Sequence, residues 1–260
     1  MVTAAEVHER FRPLLGPVLA LAHDAGKAIL TYYGGSDLHV ERKADDSPLT
    51  EADRAAHHIL VDGLTALDRS IPVISEEGEL APYVCRREWE RFWLVDPLDG
   101  TKEFIKRNGE FTVNVGLIEA GQPVLGVVLA PALDLLYWAV AGSGTWKQER
   151  GGDPVRVFST GRGSDEPLVV VESRSHPSPE LEDFLATLTV AKRVEAGSSL
   201  KFCWVAEGKA DVYPRFGPTM EWDVAAGDCV YRNSGREGTR SSPLRYNKHD
   251  LRNESFVIGL

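Results

Sequence analysis

Three apolar runs, residues 111–118, 124–130 and 135–140, follow one another with only short links between them. Runs of this length bounded by turn residues read as strands, and links this short suggest an antiparallel meander. The first link, Glu119-Ala120-Gly121-Gln122, reads as a turn, and the third run stops at Gly142-Ser143-Gly144. Two shorter apolar segments precede the meander, Pro72-Val73-Ile74-Ser75 and Phe92-Trp93-Leu94-Val95.

Helical patterns flank these strands. Leu15, Val18, Ala22, Ala25, Ile29 and Tyr32 fall on one helix face, which Gly34-Gly35 ends. Pro13 and Pro17 place the regular part of that helix after them. Thr50 followed by Asp53 marks the start of a second helix, whose buried face is Ala56, Ile59, Leu60, Leu64 and Leu67. Residues 151–167 are rich in Gly, Ser and Asp and mark a boundary between two lobes. After it come a strand at 168–171, a helix at 178–188, a strand at 192–196, a helix at 200–207, a strand at 210–216 and a last helix near Trp222-Asp223. The expected organisation is an α+β lobe over 1–150 and an α/β lobe over 151–260.

Composition narrows the function. The chain of 260 residues is 43% hydrophobic and 26% charged, ordinary for a globular protein, with a net charge of -10. That charge makes a nucleic acid polymer a poor partner, yet leaves room for a small phosphorylated ligand if cations sit at the site. Cys85, Cys203 and Cys229 form neither a CxxC nor a Cys/His cluster, so a reducing compartment fits better than a disulfide framework. The polar N-terminal residues 1–12 lack a signal-peptide core, and residues 124–141 are too interrupted to span a membrane. The expected location is cytoplasmic, with peripheral placement at the inner membrane face left open.

Acidic side chains recur where strands end and helices begin. Glu76 and Glu77 follow one strand, Asp96 ends the next, and Asp99 lies three residues on. Asp53 and Asp223 sit at helix starts. In Asp96-Pro97-Leu98-Asp99-Gly100-Thr101, Pro97 stiffens the chain and Gly100 permits a tight turn that aims Asp99 back at Asp96. Carboxylates forced together repel, and a bound cation relieves the cost. An all-oxygen donor set suits Mg²⁺ or Mn²⁺ rather than zinc. Taken singly, each feature has a plainer meaning: a D-x-x-D-G turn, a solvated Glu-Glu pair, or a helix-cap carboxylate. Their joint order along one chain is what points to a metal site.

That order resembles the inositol monophosphatase superfamily. Residues 93–104 (WLVDPLDGTKEF) and 222–227 (WDVAAG) are similar to its two signatures, and Ser75-Glu76-Glu77-Gly78 to the element between the second helix and the first signature. The resemblance spans nearly the whole chain from about Leu14. Residues 43–53, 99–109, 197–203 and 213–219 resemble its bacterial 3'(2'),5'-bisphosphate nucleotidase branch. After Asn233 the chain departs from the pattern: Ser234-Gly235-Arg236-Glu237-Gly238 stands where a small apolar run is usual.

The resemblance implies a layered αβαβα sandwich and a Mg²⁺-dependent phosphatase with two or three ions. It assigns Glu76, Asp96 and the Leu98 carbonyl to one ion, Asp96, Asp99 and Asp223 to a second, and Glu76 to a third. Asp53 and Thr101 would orient a metal-activated water, and Glu76 would accept its proton. Gly100 and Thr101 amides would hold phosphate oxygens, and Ser198, Ser199, Lys201 and Arg215 would contact the nucleotide. The implied reaction removes the 3'-phosphate of adenosine 3',5'-bisphosphate. Its alternatives are hydrolysis of inositol monophosphate or a sugar phosphate, or non-catalytic nucleotide binding. No serine or cysteine has a histidine neighbour in a nucleophile motif, which argues against a covalent route. His57-His58 reads as helix surface, and His176 is a candidate for the substrate side.

Overall fold

The meander forms, and it carries more strands than the apolar runs alone mark. In the computed structural model, which describes residues 4–35, 41–42, 48–174, 178–236 and 238–260, the chain opens with α1 (Ala4–Tyr33), β1 (Glu41–Arg42), β2 (Pro48–Leu49), α2 (Glu51–Leu67), β3 (Val73–Ser75) and α3 (Tyr83–Arg86). Then come β4 (Arg91–Asp99), α4 (Thr101–Ile105), β5 (Thr112–Glu119), β6 (Gln122–Ala130), β7 (Leu135–Val140), β8 (Thr145–Glu149) and β9 (Val155–Val157). The remainder is β10 (Leu168–Ser173), α5 (Pro179–Leu185), β11 (Val190–Ala196), α6 (Leu200–Ala206), β12 (Tyr213–Arg215), β13 (Thr219–Met220), α7 (Glu221–Arg232), β14 (Arg252–Asn253) and β15 (Phe256–Ile258). Strands β3 to β9 form one sheet in sequence order, antiparallel except for the parallel β3–β4 edge. The β5–β6 turn is tight because Ala120 and Gly121 both take positive φ.

Strand side chains alternate between faces. Trp93, Val95, Val113 and Val127 point toward α1 and α2, where Ala22, Ile29, Leu60 and Leu64 meet them. Phe92, Leu94, Val128 and Tyr137 point the other way, into a core shared with α6, α7, Val171 of β10 and Ala196 of β11. On the far side of the parallel β10–β11 pair, α5 packs Leu181 and Leu185 against Val170. The successive layers are helix, sheet, helix, sheet, helix: the αβαβα order that the family resemblance implies.

Helix α7 lies in a trough cut into the large sheet. Strand register aligns Leu94, Gly116, Gly126, Ala139 and Thr145 in one row across β4 to β8. A Cβ at Gly116 would stand 2.9 Å from the Ala225 methyl, and one at Gly126 would stand 2.5 Å from the Ala226 carbonyl oxygen. At the end of the row the Thr145 hydroxyl donates to the Val230 carbonyl. From the other side Phe202 of α6 presses on Gly227, where a Cβ would approach to 2.8 Å. The helix is therefore gripped between two surfaces that tolerate no extra carbon.

Three sequence readings are corrected. Helix α1 starts at Ala4 and carries Pro13 and Pro17 inside it. Tertiary packing overrides the cost of the prolines: Phe11 is buried, with the Arg10 and Arg91 guanidinium groups 5.1 and 5.2 Å from its ring and Glu119 pairing both. The strand expected at 210–216 shortens to Tyr213–Arg215, and the helix expected at 178–188 ends at Leu185. The polar stretch after Asn233 does not loosen α7. Asn233 donates to the Cys229 carbonyl and accepts from Gly142 N, and the Ser234 hydroxyl donates to the Tyr231 carbonyl. Buried polar groups thus satisfy the last helical carbonyls. Residues 43–47, His176 and Glu237 lie outside the described residues. No helix among those described is long and apolar enough to cross a membrane.

The trough makes a prediction about two glycines. Gly126→Ala should destabilise the protein by about 1–3 kcal/mol through overpacking, lowering Tm by several degrees. Gly16→Ala, in α1 with no atom beyond its own helix and chain neighbours within 4 Å of the new methyl, should change stability by less than about 0.5 kcal/mol, its helix propensity offset by crowding against Pro17. Thermal unfolding of both variants checks the pair; an unchanged Gly126→Ala protein would contradict a tight seat.

Candidate active site

A miscounted strand creates the site. On β4, Asp96 sits opposite Asn114 and Asp99 opposite Thr112, so three steps on one strand face two on its neighbour. Because alternation has period two, a regular strand would send Asp99 to the α1 side. The extra residue at Pro97-Leu98 is a bulge that turns Asp99 to the α7 face with Asp96. This corrects the expectation that Gly100 aims Asp99 back. Gly100, at φ +89°, instead opens α4.

Two helix starts bring further carboxylates. Asp223 is the third residue of α7, and its Oδ2 accepts from Met220 N at 2.8 Å. Asp53 stands in the same place on α2, its Oδ2 accepting from Thr50 N at 2.7 Å and from the Thr50 hydroxyl at 2.5 Å. Capping uses one carboxylate oxygen of two, so a cap residue can also serve a site. Glu76 follows β3, its backbone amide bonded to the Val95 carbonyl. One oxygen from each of Glu76, Asp96 and Asp223 lies within 4.8 Å of the others.

The electrostatics are those of like charges crowded away from water. Burial, then the charges of Glu76, Asp99 and Asp223, push Asp96 well above the usual carboxylate range. Burial, then Asp99 and Glu76, do the same to Asp223. Burial raises Asp99 also, opposed by Lys201 and the Ser198 hydroxyl. Burial raises Asp53 to about 6 against the Thr50 bonds. An all-oxygen cluster of this kind, costly without a positive partner, fits a hard divalent cation.

A pocket of about 270 Å³ holds Glu76, Asp96, Leu98, Asp99, Gly100, Thr101 and Asp223 together with Ser198, Ser199, Lys201 and Arg215. Of the described residues to which the resemblance gives a site role, Asp53 is the one not among its lining. The Thr101 hydroxyl donates to the Leu98 carbonyl at 3.4 Å. Ser198 and Ser199 are turned to protein partners: Ser198 donates to Asp99 Oδ2 at 2.7 Å, and Ser199 to the Asp223 carbonyl at 2.7 Å. Lys201 is buried, its Nζ on the Ala196 and Ser198 carbonyls, and burial pushes it down to about 8 against the pull of Asp99. Arg215 is also buried, donating to the carbonyls of Gly217 at 3.1 Å and Pro218 at 3.0 Å.

Sequence reasoning missed several neighbours. Asn114 donates to Asp99 Oδ2 at 3.2 Å, and Thr112 shares a hydrogen bond with Ser198. Both lie on the meander face that alternation assigns to Asp96, so strand parity is the signal that would have found them. His57 is half-buried, and its Nδ1 lies 2.9 Å from the Ser75 hydroxyl beside Glu76; only His58 keeps the surface place expected of both.

The αβαβα layering, with carboxylates at strand ends and helix starts, defines a fold of the sugar-phosphatase and inositol-monophosphatase type. The inositol monophosphatase family model matches residues 12–257, and the chain belongs to that family. It is 53% identical over 218 residues to a Salmonella typhimurium protein named 3'(2'),5'-bisphosphate nucleotidase CysQ, covering 84% of this chain and 86% of that one. An Escherichia coli K12 protein of the same name is 49% identical over 251 residues, covering 95% and 100%. The crystal structure of CysQ from Bacteroides thetaiotaomicron aligns with a TM-score of 0.80 and 42% identity, covering 95% of this chain and 97% of that one.

The raised carboxylates set a pH dependence. With a folded pKa of about 6 against about 3.9 unfolded, Asp53 binds its proton more tightly when folded. Stability therefore falls as pH rises through that window. Asp96, Asp99 and Asp223 act in the same direction, and His57, lowered by burial, acts against them. Metal-free protein should show a higher Tm at pH 5.5 than at pH 7.5. Mg²⁺ should raise Tm clearly at pH 7.5 and much less at pH 5, because it must displace those protons. Calorimetric scans at both pH values check this; an equal Mg²⁺ increment at both would refute it.

Proposed function

We propose that this chain is a Mg²⁺-dependent 3'(2'),5'-bisphosphate nucleotidase that hydrolyses adenosine 3',5'-bisphosphate to AMP and phosphate. One observation carries the reading: the carboxylate cluster and two buried cations, Lys201 and Arg215, line the same pocket. A substrate with two phosphates needs positive charge at both ends, and side-chain cations supply it where the metal site does not reach. An inositol monophosphate makes no such demand. The names of relatives 49–53% identical agree with this substrate.

In this reading Glu76, Asp96 and the Leu98 carbonyl would hold one Mg²⁺, Asp96, Asp99 and Asp223 a second, and Glu76 would serve a third. Bound there, the ions supply Lewis-acid activation of water and neutralise phosphate charge. The Thr101 hydroxyl and Asp53 orient the attacking water, and Glu76 takes its proton. The amides of Gly100 and Thr101 hold phosphate oxygens. Lys201 and Arg215 bind the second phosphate, while Ser198 and Ser199 shape the wall between. Residues 1–150 thus supply most of the acids, and residues 151–260 supply Asp223 and the cations. Phosphate binding would also draw Lys201 back from its lowered pKa toward full protonation, coupling affinity to pH.

The test is phosphate release from adenosine 3',5'-bisphosphate, inositol 1-phosphate and fructose 1,6-bisphosphate, each with an EDTA control. The nucleotide should lead by about a hundredfold in kcat/KM, equivalent to roughly 2.7 kcal/mol; preference for inositol phosphate would remove the assigned substrate. Lys201→Ala should cost the nucleotide about 1.5–3 kcal/mol, the worth of a charge-assisted hydrogen bond, and inositol 1-phosphate much less. Equal losses on both substrates would remove Lys201 from the second phosphate.

A further inference from the structure

Beside the pocket lies an ion pair that the proposed chemistry does not use. Arg174, just after β10, donates from Nε to Glu110 Oε2 at 2.9 Å and from Nη2 to Glu110 Oε1 at 3.0 Å. The same guanidinium reaches the Glu195 side chain at 3.0 Å and the Glu195 carbonyl at 3.1 Å. Glu110 Oε2 also accepts from Gly197 N at 2.8 Å. The fit is close: a Cβ on Gly197 would stand 2.5 Å from the Glu110 carbonyl oxygen.

The neighbour of Gly197 gives this arrangement its purpose. Ser198 holds a left-handed backbone, φ +54°, unusual for a residue with a side chain. In that conformation its hydroxyl donates to Asp99 Oδ2. Asn114 donates to the same oxygen, and among the described residues no hydrogen bond is made by Asp99 Oδ1. The carboxylate is thus fixed in rotation, with one oxygen spent on protein and the other left for the pocket. A strained turn persists only where its surroundings over-determine it. Here the surroundings are the Glu110 bond to Gly197 on one side and Asp99 and Thr112 on the other.

We infer that Glu110 and Arg174 are positioning residues: they clamp the Gly197-Ser198 turn so that Ser198 sets the Asp99 carboxylate for a divalent cation. The inference rests on reading the acid cluster as a cation site. Arg174 is exposed and Glu110 half-buried, with side chains 36% and 18% accessible, and an ion pair with one member in water contributes little to global stability. Loss of the clamp should therefore show in cation binding rather than in unfolding.

Mn²⁺ affinity, followed by the electron paramagnetic resonance signal of the free ion, tests it on the full-length wild type, Glu110→Ala, Ser198→Ala and the double variant. Each single variant should bind Mn²⁺ about tenfold more weakly, the scale of a lost outer-shell partner. The double variant should lose no more than either single one, since both act through one contact. Tm of Glu110→Ala should stay within about 2 °C of wild type. Unchanged Mn²⁺ affinity in Glu110→Ala, or losses that multiply to about a hundredfold in the double variant, would overturn the clamp while leaving the cation site standing. A wild type that binds no Mn²⁺ would overturn both. If Glu110→Ala does not fold, Arg174→Lys, which keeps the charge and loses the fork, takes its place with the same expected loss and the same refuting outcome.

Discussion

Everything at the site depends on how closely one helix can approach one sheet. Asp223 belongs to α7, and Asp96 and Asp99 belong to β4. They meet because the sheet presents glycine and alanine where α7 lies, with Ala225 and Ala226 facing them from the helix. Small residues on both sides permit an approach that larger ones would hold off. Dispersion and shape, not charge, bring the acids together, and they must do so against the repulsion of the acids themselves. The grip of Phe202 on Gly227 from the far side leaves α7 no room to relieve that repulsion by sliding away.

The protein thus spends packing energy on an arrangement that is unfavourable by itself. Buried carboxylates with raised proton affinities mark a place where local chemistry opposes global stability, as functional sites commonly do. The caps soften the conflict. Asp53 and Asp223 each satisfy an orphan backbone amide at a helix start, so each is partly justified by structure before any ligand arrives.

Much of this was legible in the residues. The meander, the helix starts and the strand-end acids follow from periodicity and capping chemistry, and the two signatures carried the family. Three features were hidden, for physical reasons. The α7 trough depends on cross-strand register, which places Gly116 beside Gly126 although ten positions separate them along the chain. Pro13 and Pro17 argue locally for a later helix start, and only the packing of Phe11 reverses that argument. Ser198 resembles a ligand contact by motif, but its partner is Asp99, a residue 99 positions away that no local pattern connects to it.

The bulge in β4 has a consequence for how this segment can vary. Its two acids share a face only because three residues are set against two. Chemistry at Pro97 and Leu98 is therefore secondary to the bulge they form. The segment can be respelled freely so long as that bulge survives: flattening it at the present length would restore regular pleating and turn Asp99 into the apolar layer beneath α1 and α2. Arithmetic parity, rather than the identity of any side chain, is what keeps both carboxylates facing the same cavity.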